Sequence, residues 1–170
     1  MSTTAIPQAD ILIEAECWQD EKEAPAIIQR AIAAAAAMVE LPGGTTELAV
    51  LLTDDPGVQA LNKTWRGIDA PTNVLSFPAV WRDEGSLETD GVPLMLGDIA
   101  IAYQTLRTEA DSETKPFGNH LAHLTVHGFL HLLGYDHTTD DEAEIMEGLE
   151  TKILAQLGIS DPYAHHGQAD

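Results

Sequence analysis

The sequence predicts an α+β protein in which a mixed, four-stranded β-sheet is packed by about five helices. Four apolar runs have the length and residue pattern of strands, and segments with apolar residues at helical spacing separate or follow them. The resulting order, β-α-β-α-β-β-α-α-α, contains neither a linker nor an internal repeat. A chain of 170 residues is long enough for one domain with a sizeable core.

Each element is predicted from a local pattern. Alternating apolar residues indicate the first strand, and an alanine-rich stretch indicates the first helix, which Pro42 should end. Asp55 is the expected cap of the second helix, because Pro56 follows it in the first turn. Thr139 and Glu142 have the capping-box spacing at the start of the last helix.

These patterns also give approximate bounds. The strands are predicted over 10–18, 47–53, 73–78 and 94–103. The helices are predicted over 21–41, 55–66, 104–112, 116–133 and 139–157, and a polar loop over 82–93. The last helix should bury an apolar stripe formed by Ile145, Met146, Leu149, Ile153, Leu154 and Leu157.

The chain is expected to form a single domain over 1–163, followed by a disordered tail over 164–170. Its one cysteine, Cys17, excludes an internal disulfide and fits a reducing compartment.

The apolar run over 31–39 is too short to span a bilayer, and residues 1–4 lack the basic start of a signal peptide. These features predict a cytoplasmic protein without a membrane partner.

The net charge is strongly negative. Eight basic residues stand against 28 acidic ones, which gives −20. Proteins that bind nucleic acid through charge alone neutralise phosphates with lysine and arginine. The composition therefore argues against a general binder of polyanions, and it favours solubility and self-repulsion.

Three histidines have the spacing of a catalytic metal site. His127 and His131 lie four residues apart, so they share one face of the predicted helix and can reach one Zn²⁺ ion. Gly134 stands where the helix must end, which allows the chain to turn back and bring His137 to the same ion. Three imidazoles with an open fourth position are typical of catalytic rather than structural zinc.

The same spacing occurs in the metzincin peptidases, H-E-x-x-H-x-x-G-x-x-H, with one departure. Where those enzymes carry the glutamate that acts as general base, this chain has Gly128. Loss of a general base typically costs a factor of about 10²–10⁴. The sequence thus supports metal binding more than peptide hydrolysis.

The other histidines are expected to play lesser parts. His123 lies one turn before the first ligand, and a packing or supporting role is favoured over a fourth ligand. Asp136 can either orient an imidazole or shape the turn, and the sequence does not decide between the two. His165 and His166 lie in the tail and should be solvated.

Four motifs in order resemble one known family. The zinc motif H-G-F-L-H-L-L-G-Y-D-H over 127–137 is preceded by L-N-K-T-W-R-G-I-D over 61–69, T-N-V-L-S-F-P over 72–78 and L-G-D-I over 96–99. Together they closely resemble the YbeY family of bacterial endoribonucleases and ribosomal RNA maturation factors. The resemblance runs from about residue 48 to 163 and includes the closing D-P-Y.

The resemblance implies a zinc-dependent endoribonuclease specific for single strands. It implies 3′-end maturation of small-subunit ribosomal RNA and late-stage quality control of assembled ribosomes. Single-stranded or ribosomal RNA is then the substrate and the ribosome or its proteins the partners, with no DNA. One Zn²⁺ per chain would be held by His127, His131 and His137, and Arg66 would be the catalytic arginine.

A mechanism follows from these residues. Zinc held by three neutral imidazoles lowers the pKa of its bound water, which would attack the phosphodiester. Arg66 offers a planar, permanently charged fork for the phosphate, a role favoured over a surface ion pair with Asp69. Gly128 would leave room beside the metal for a phosphate.

Six further residues carry functional groups in or near these motifs: Lys63, Trp65, Ser76, Phe77, Arg82 and Asp98. Lys63 and Arg82 are expected to be solvated surface charges. For Trp65 and Phe77, packing in the core is favoured over stacking on a base. The serine has no identified base and is a poor nucleophile candidate, and the role of the carboxylate is open.

Two other functions remain open. A ribosome-assembly factor without catalytic activity would use an acidic surface to dock on basic ribosomal proteins. A metzincin-like zinc peptidase is disfavoured by Gly128 and Arg66. If the protein acts on RNA, the charge of −20 predicts weak affinity for free RNA. Its action should then depend on the ribosome, a protein partner or divalent ions.

Overall fold

The computed structural model describes residues 6–42, 44–79 and 93–162. The strands are β1 (Gln8–Ile13), β2 (Thr46–Thr53), β3 (Val74–Pro78) and β4 (Leu94–Ala102). The helices are α1 (Ala24–Ala36), α2 (Asp55–Arg66), α3 (Tyr103–Ser112), α4 (Phe117–Leu132) and α5 (Asp140–Gln156). Almost all of the loop predicted over 82–93, together with the predicted tail and its histidines, lies outside the described residues.

The four strands form one mixed sheet in the order β1-β2-β4-β3. β1 pairs with β2 and β2 with β4 in parallel, whereas β3 runs antiparallel to β4 at the edge of the sheet. Parallel neighbours need a crossover, and α1 makes the one between β1 and β2. The predicted α+β class is confirmed.

The two faces of the sheet are covered unequally. Along β2, Leu48, Val50 and Leu52 are fully buried and belong to the large core that α1 and α4 form with the sheet. The alternate residue Leu51 points to the opposite face, where Val58 of α2 packs in a much smaller cluster. The unequal cover leaves part of this second face open.

The N-terminal elements are shorter than predicted. The first strand ends at Ile13, and residues Glu16–Trp18 form a 3₁₀ turn. The turn directs Trp18 into the core, where its indole N–H donates to the carbonyl of Thr53 at 2.8 Å. Alternation alone could not reveal this tertiary contact. The first helix ends at Ala36 because the chain beyond it packs back on the core.

The predicted helix cap is confirmed at α5, whereas at α2 the cap lies one residue earlier than predicted. The capping box of Thr139 and Glu142 at α5 is confirmed. At α2 the cap is Asp54, one residue earlier than predicted, and its carboxylate accepts from the Gly57 N–H at 2.8 Å. The Asp55 carboxylate instead accepts from the backbone N–H and the hydroxyl of Thr105 in α3.

The apolar stripe predicted for α5 includes one residue that is not buried. Met146, Ile153 and Leu154 are buried, but Ile145 is 60% exposed. Glu150 takes a buried position on this face instead. Within the described ranges, no helix is both long enough and apolar enough to cross a membrane.

Candidate metal centre

The last turn of α4 and the loop after it bring three histidines together. His127 and His131 lie one turn apart, and their Nε2 atoms are 3.1 Å from each other. Gly134 has a φ of 102°, which suits a residue without a side chain, and it reverses the chain so that His137 lies beside the other two. One nitrogen from each ring lies within 4.8 Å of the others. Tetrahedral zinc places its nitrogen ligands roughly 3.4 Å apart, so the three imidazoles could hold such an ion.

Hydrogen bonds on the far side of two rings orient them toward this point. The Nδ1–H of His131 donates to the carbonyl of Tyr135 at 2.9 Å. The Nδ1–H of His127 donates to the carboxylate of Glu150 at 2.6 Å. With Nδ1 protonated, Nε2 carries the free lone pair, which a metal ion requires.

The buried Glu150 belongs to the site, although no motif in the sequence points to it. Its side chain is 0% exposed, and its two oxygens lie 2.8 Å from Nε2 of His123 and 2.6 Å from Nδ1 of His127. His123 therefore contacts the metal centre through this carboxylate and does not share the point on which the other three converge. A carboxylate inside the apolar stripe of α5 was the available signal, because a buried acid requires partners.

Burial keeps one of the three histidines in the form that binds metal. The pKa of His131 is lowered by its burial, and the neighbouring His127 lowers it further. A lowered pKa keeps the imidazole neutral at pH values where an exposed histidine begins to take up a proton. Neutral imidazole is the form that coordinates a metal ion.

Replacing Glu150 with glutamine should weaken metal binding. The amide has one acceptor oxygen in place of two, so one of the two imidazoles loses its acceptor. We expect zinc affinity to fall by about 10-fold to 100-fold, as measured by competition with a chromogenic chelator. Glu147→Gln, at an exposed position one turn earlier on α5, is the matched control and should bind zinc like the wild type. Unchanged affinity in a folded Glu150→Gln protein would contradict the role of this carboxylate.

The metal centre opens into a cavity of about 630 Å³. Its walls come from the end of α2, from β3 and from the loop that follows α4. The lining residues include Asn62, Arg66, Asn73, Ser76, His127, His131, Tyr135, Asp136 and His137. The predicted catalytic arginine and the three predicted ligands thus line the same cavity.

Neutral groups hold Arg66 in place. Its Nη2 donates to the carbonyl of Ser76 at 2.7 Å, and its guanidinium lies over the Phe77 ring, 5.5 Å from the centroid. The sequence offered Asp69 as an alternative partner, but Asp69 accepts from the side-chain amide of Gln59 at 2.9 Å. Arg66 therefore contributes a fixed positive charge to the wall of the cavity.

Two other polar residues near the motifs have structural contacts, and a third lies outside the wall of the metal cavity. The Asp136 carboxylate accepts from the His137 N–H at 2.8 Å, so it shapes the turn, and its negative charge also partly opposes the lowering of the His131 pKa. The buried Ser76 hydroxyl donates to the carbonyl of Gly128 at 3.1 Å, which joins β3 to α4. Asp98 is exposed on β4 and lies outside the wall of the metal cavity.

The position of Gly128 has a different cause from the one expected. A Cβ atom there would lie 3.1 Å from the Ile99 side chain and 3.2 Å from the Ser76 hydroxyl. Gly128 therefore faces the sheet, and the space it leaves is filled by β3 and β4. The expectation that it makes room for a phosphate beside the metal is wrong, because the close packing of α4 on the sheet requires a small residue.

Glutamate at this position should destabilise the fold and should not create a peptidase. In Gly128→Glu, the Cβ atom would already lie 3.1 Å from the Ile99 side chain and 3.2 Å from the Ser76 hydroxyl, so the new side chain would begin in a closely packed contact. Overpacking typically costs about 1–3 kcal/mol, and a buried carboxylate adds to that cost. We expect a lower melting temperature in calorimetry and no casein cleavage. A stable variant that cleaves casein would show that the side chain can reach the metal after all.

Together, the fold and the site define a class of protein. Three clustered histidines and an arginine around an open cavity form the arrangement of a metal-dependent hydrolase. A sequence model described as Endoribonuclease YbeY matches residues 12–158. The chain belongs to the endoribonuclease YbeY family.

Curated relatives named Endoribonuclease YbeY are similar over nearly the whole chain. One from a Bradyrhizobium species (strain BTAi1) is 58% identical over 170 residues, which cover 100% of both chains. One from Rhodopseudomonas palustris (strain BisB18) is 65% identical over 158 residues, 93% of both chains. One from Nitrobacter hamburgensis is 61% identical over 160 residues, 94% of this chain and 84% of the relative. The family resemblance of the four motifs is confirmed, and the similarity extends beyond them toward the N-terminus.

Proposed function

We propose that this chain is a zinc-dependent endoribonuclease that cleaves single-stranded RNA. His127, His131 and His137 hold one Zn²⁺ per chain, and Arg66 stabilises the phosphate at which cleavage occurs. The observation that carries the proposal is that all four side chains line one and the same cavity, in a member of this family. The names of the relatives support an RNA substrate.

The donor set fits zinc. Three neutral imidazoles suit zinc more than magnesium or calcium, which prefer oxygen ligands. The orienting bonds from His127 to Glu150 and from His131 to Tyr135 are of the kind that surrounds metal-binding histidines. When bound, zinc supplies a Lewis acid and lowers the pKa of a water molecule toward 7.

Arg66 binds and stabilises the reacting phosphate. A guanidinium has five N–H donors, so the bond to the Ser76 carbonyl leaves others for phosphoryl oxygens. Its planar fork matches two of those oxygens, and its charge persists at every physiological pH. Because Phe77 and Ser76 already hold the side chain, little reorganisation is needed when negative charge develops on the phosphate.

The shape of the cavity favours single strands. The phosphate must enter between the end of α2, the edge strand β3 and the turn after α4. A flexible single strand can bend into this space, whereas the stiff A-form duplex presents its phosphates on a wide cylinder. Single-stranded segments are also the usual targets of proteins that bind RNA at specific sites.

The biological substrate that we propose is ribosomal RNA in the cytoplasm. Cleavage would serve 3′-end maturation of small-subunit ribosomal RNA and late-stage quality control of ribosomes. A chain with a net charge of −20 repels free RNA at long range, so recruitment by the ribosome or by its basic proteins would supply the affinity. We expect weak binding of free RNA at physiological salt, measurable by fluorescence anisotropy, and tight binding would contradict this expectation.

Cleavage of matched single-stranded and double-stranded RNA tests the proposed function. The zinc-loaded protein should cut the single strand, lose activity in a chelator and regain it when zinc is added. A protein that cuts both forms equally contradicts the strand preference. A protein that binds zinc, cuts neither form and still supports ribosome maturation in cells would identify an assembly factor without catalytic activity.

A further inference from the structure

The sparsely covered face of the sheet carries a second, apolar cavity of about 770 Å³. Its floor includes Leu51 of β2 and Ala100 of β4, and Trp65 of α2 stands at its side. Core packing is the expected role of Trp65, but its side chain is 69% exposed. Leu12 and Met95 are each 41% exposed along the same groove. Exposed apolar surface of this extent, beside a polar cavity, is typical of a binding site.

This groove is continuous with the metal cavity. Arg66, Ser76 and Pro78 line both spaces, so the edge strand β3 forms the boundary between them. Arg66 spans that boundary, with its guanidinium stacked on Phe77, which lines the groove. A ligand whose phosphate contacts Arg66 can therefore place an adjacent group over the groove.

The surface of the groove suits the flat face of a nucleobase. Bases stack on aromatic side chains whatever their sequence, because every base has a π-face. The indole of Trp65 is exposed and adjoins Arg66 in the chain, and the floor beside it is mostly apolar, although the exposed carboxylate of Asp98 also lines the groove. An exposed aromatic next to a phosphate-binding arginine is the combination found where proteins hold single strands.

We propose that this groove is a nucleobase subsite, in which Trp65 stacks on a base adjacent to the phosphate at the metal centre. The proposal rests on the proposed function, because the RNA strand is the occupant. Stacking places the neighbouring phosphate against Arg66. The subsite gives an acidic protein affinity for RNA that depends on the bases rather than on the charge of the backbone.

Oligoribonucleotides that lack a single base test the subsite. Two substrates each carry one abasic residue, on the 5′ or the 3′ side of the preferred cleavage site. For one of them, kcat/KM of the wild type should fall about 10-fold or more. Trp65→Ala should show the same loss on the intact RNA and no further loss on the abasic one, since both changes remove one interaction. Trp65→Phe should retain most activity, and Ile145→Ala, at an exposed apolar site on α5, should match the wild type.

Other results would overturn the subsite. Full activity of Trp65→Ala on intact RNA, or equal sensitivity of this variant and the wild type to base removal, excludes stacking on Trp65. A change of oligomeric state in Trp65→Ala with unchanged cleavage would assign the groove to contact between copies of the chain. If the wild type cuts no RNA, the proposed function fails. Equilibrium binding of the same RNAs to wild type and Trp65→Ala then decides the subsite separately.

Discussion

Replacing His131 with alanine should yield a folded protein that holds no zinc and does not cut RNA. The imidazole lies at the centre of the site, with its Nε2 3.1 Å from that of His127 and its Nδ1 bonded to Tyr135. Two remaining imidazoles do not complete a three-ligand site. A catalytic metal contributes several kcal/mol, so we expect cleavage to fall by about 10³-fold or more. Elemental analysis of the purified variant and a cleavage assay on single-stranded RNA measure the two effects.

The chelated wild type is the control for this variant. Both proteins lack metal, so their melting temperatures should be similar, and only the wild type should recover activity when zinc is added. Cleavage that persists in His131→Ala would indicate a contaminating nuclease. It would also favour the function of an assembly factor over that of an enzyme.

Replacing Arg66 with alanine should greatly slow cleavage while leaving zinc in place. The guanidinium contacts Ser76 and Phe77 on the wall of the cavity, whereas His127 and His131 are held by Glu150 and Tyr135. Arginines that stabilise transferring phosphoryl groups are worth about 10³–10⁵ in rate, so we expect kcat to fall about 10³-fold. Arg66→Lys should recover little, because an ammonium cannot form the bidentate fork.

Lys63→Ala is the matched control for Arg66→Ala. Lys63 is an exposed cation one turn earlier on α2, so its removal changes the net charge equally. We expect its cleavage rate to stay within about a factor of two of the wild type, as screened surface charges contribute little. Loss of zinc from Arg66→Ala, or equal losses of activity in the two variants, would contradict the assignment of a phosphate role to Arg66.

The histidine cluster could be predicted because all its members lie within one short segment. Helical periodicity places His127 and His131 on one face, and Gly134 permits the turn that returns His137. Local rules of backbone geometry suffice for such a site. The same rules gave the sheet and the helices to within a few residues, except in the N-terminal part, where Trp18 turns into the core.

The remainder of the site depends on contacts between distant segments. Glu150 reaches the histidines from α5, and only the packing of that helix on α4 gives the carboxylate its partners. Gly128 is explained by Ile99 and Ser76, which approach from two strands. Trp65 has an aromatic side chain typical of a core, and it is exposed because the sheet face beside it is only partly covered. Sequence patterns report the environment of a residue only on average.

The carboxylate of Glu150 makes metal occupancy and the docking of the last helix parts of one equilibrium. It belongs to α5, yet it holds His127 of the metal centre and His123 one turn away. If a bound zinc ion favours the docked position of α5, thermodynamic reciprocity requires the converse. Any other influence that favours the docked position then increases the affinity for zinc. A ligand that binds α5 only in its docked position would therefore also favour metal binding, whereas one that binds both positions equally would leave metal binding unchanged.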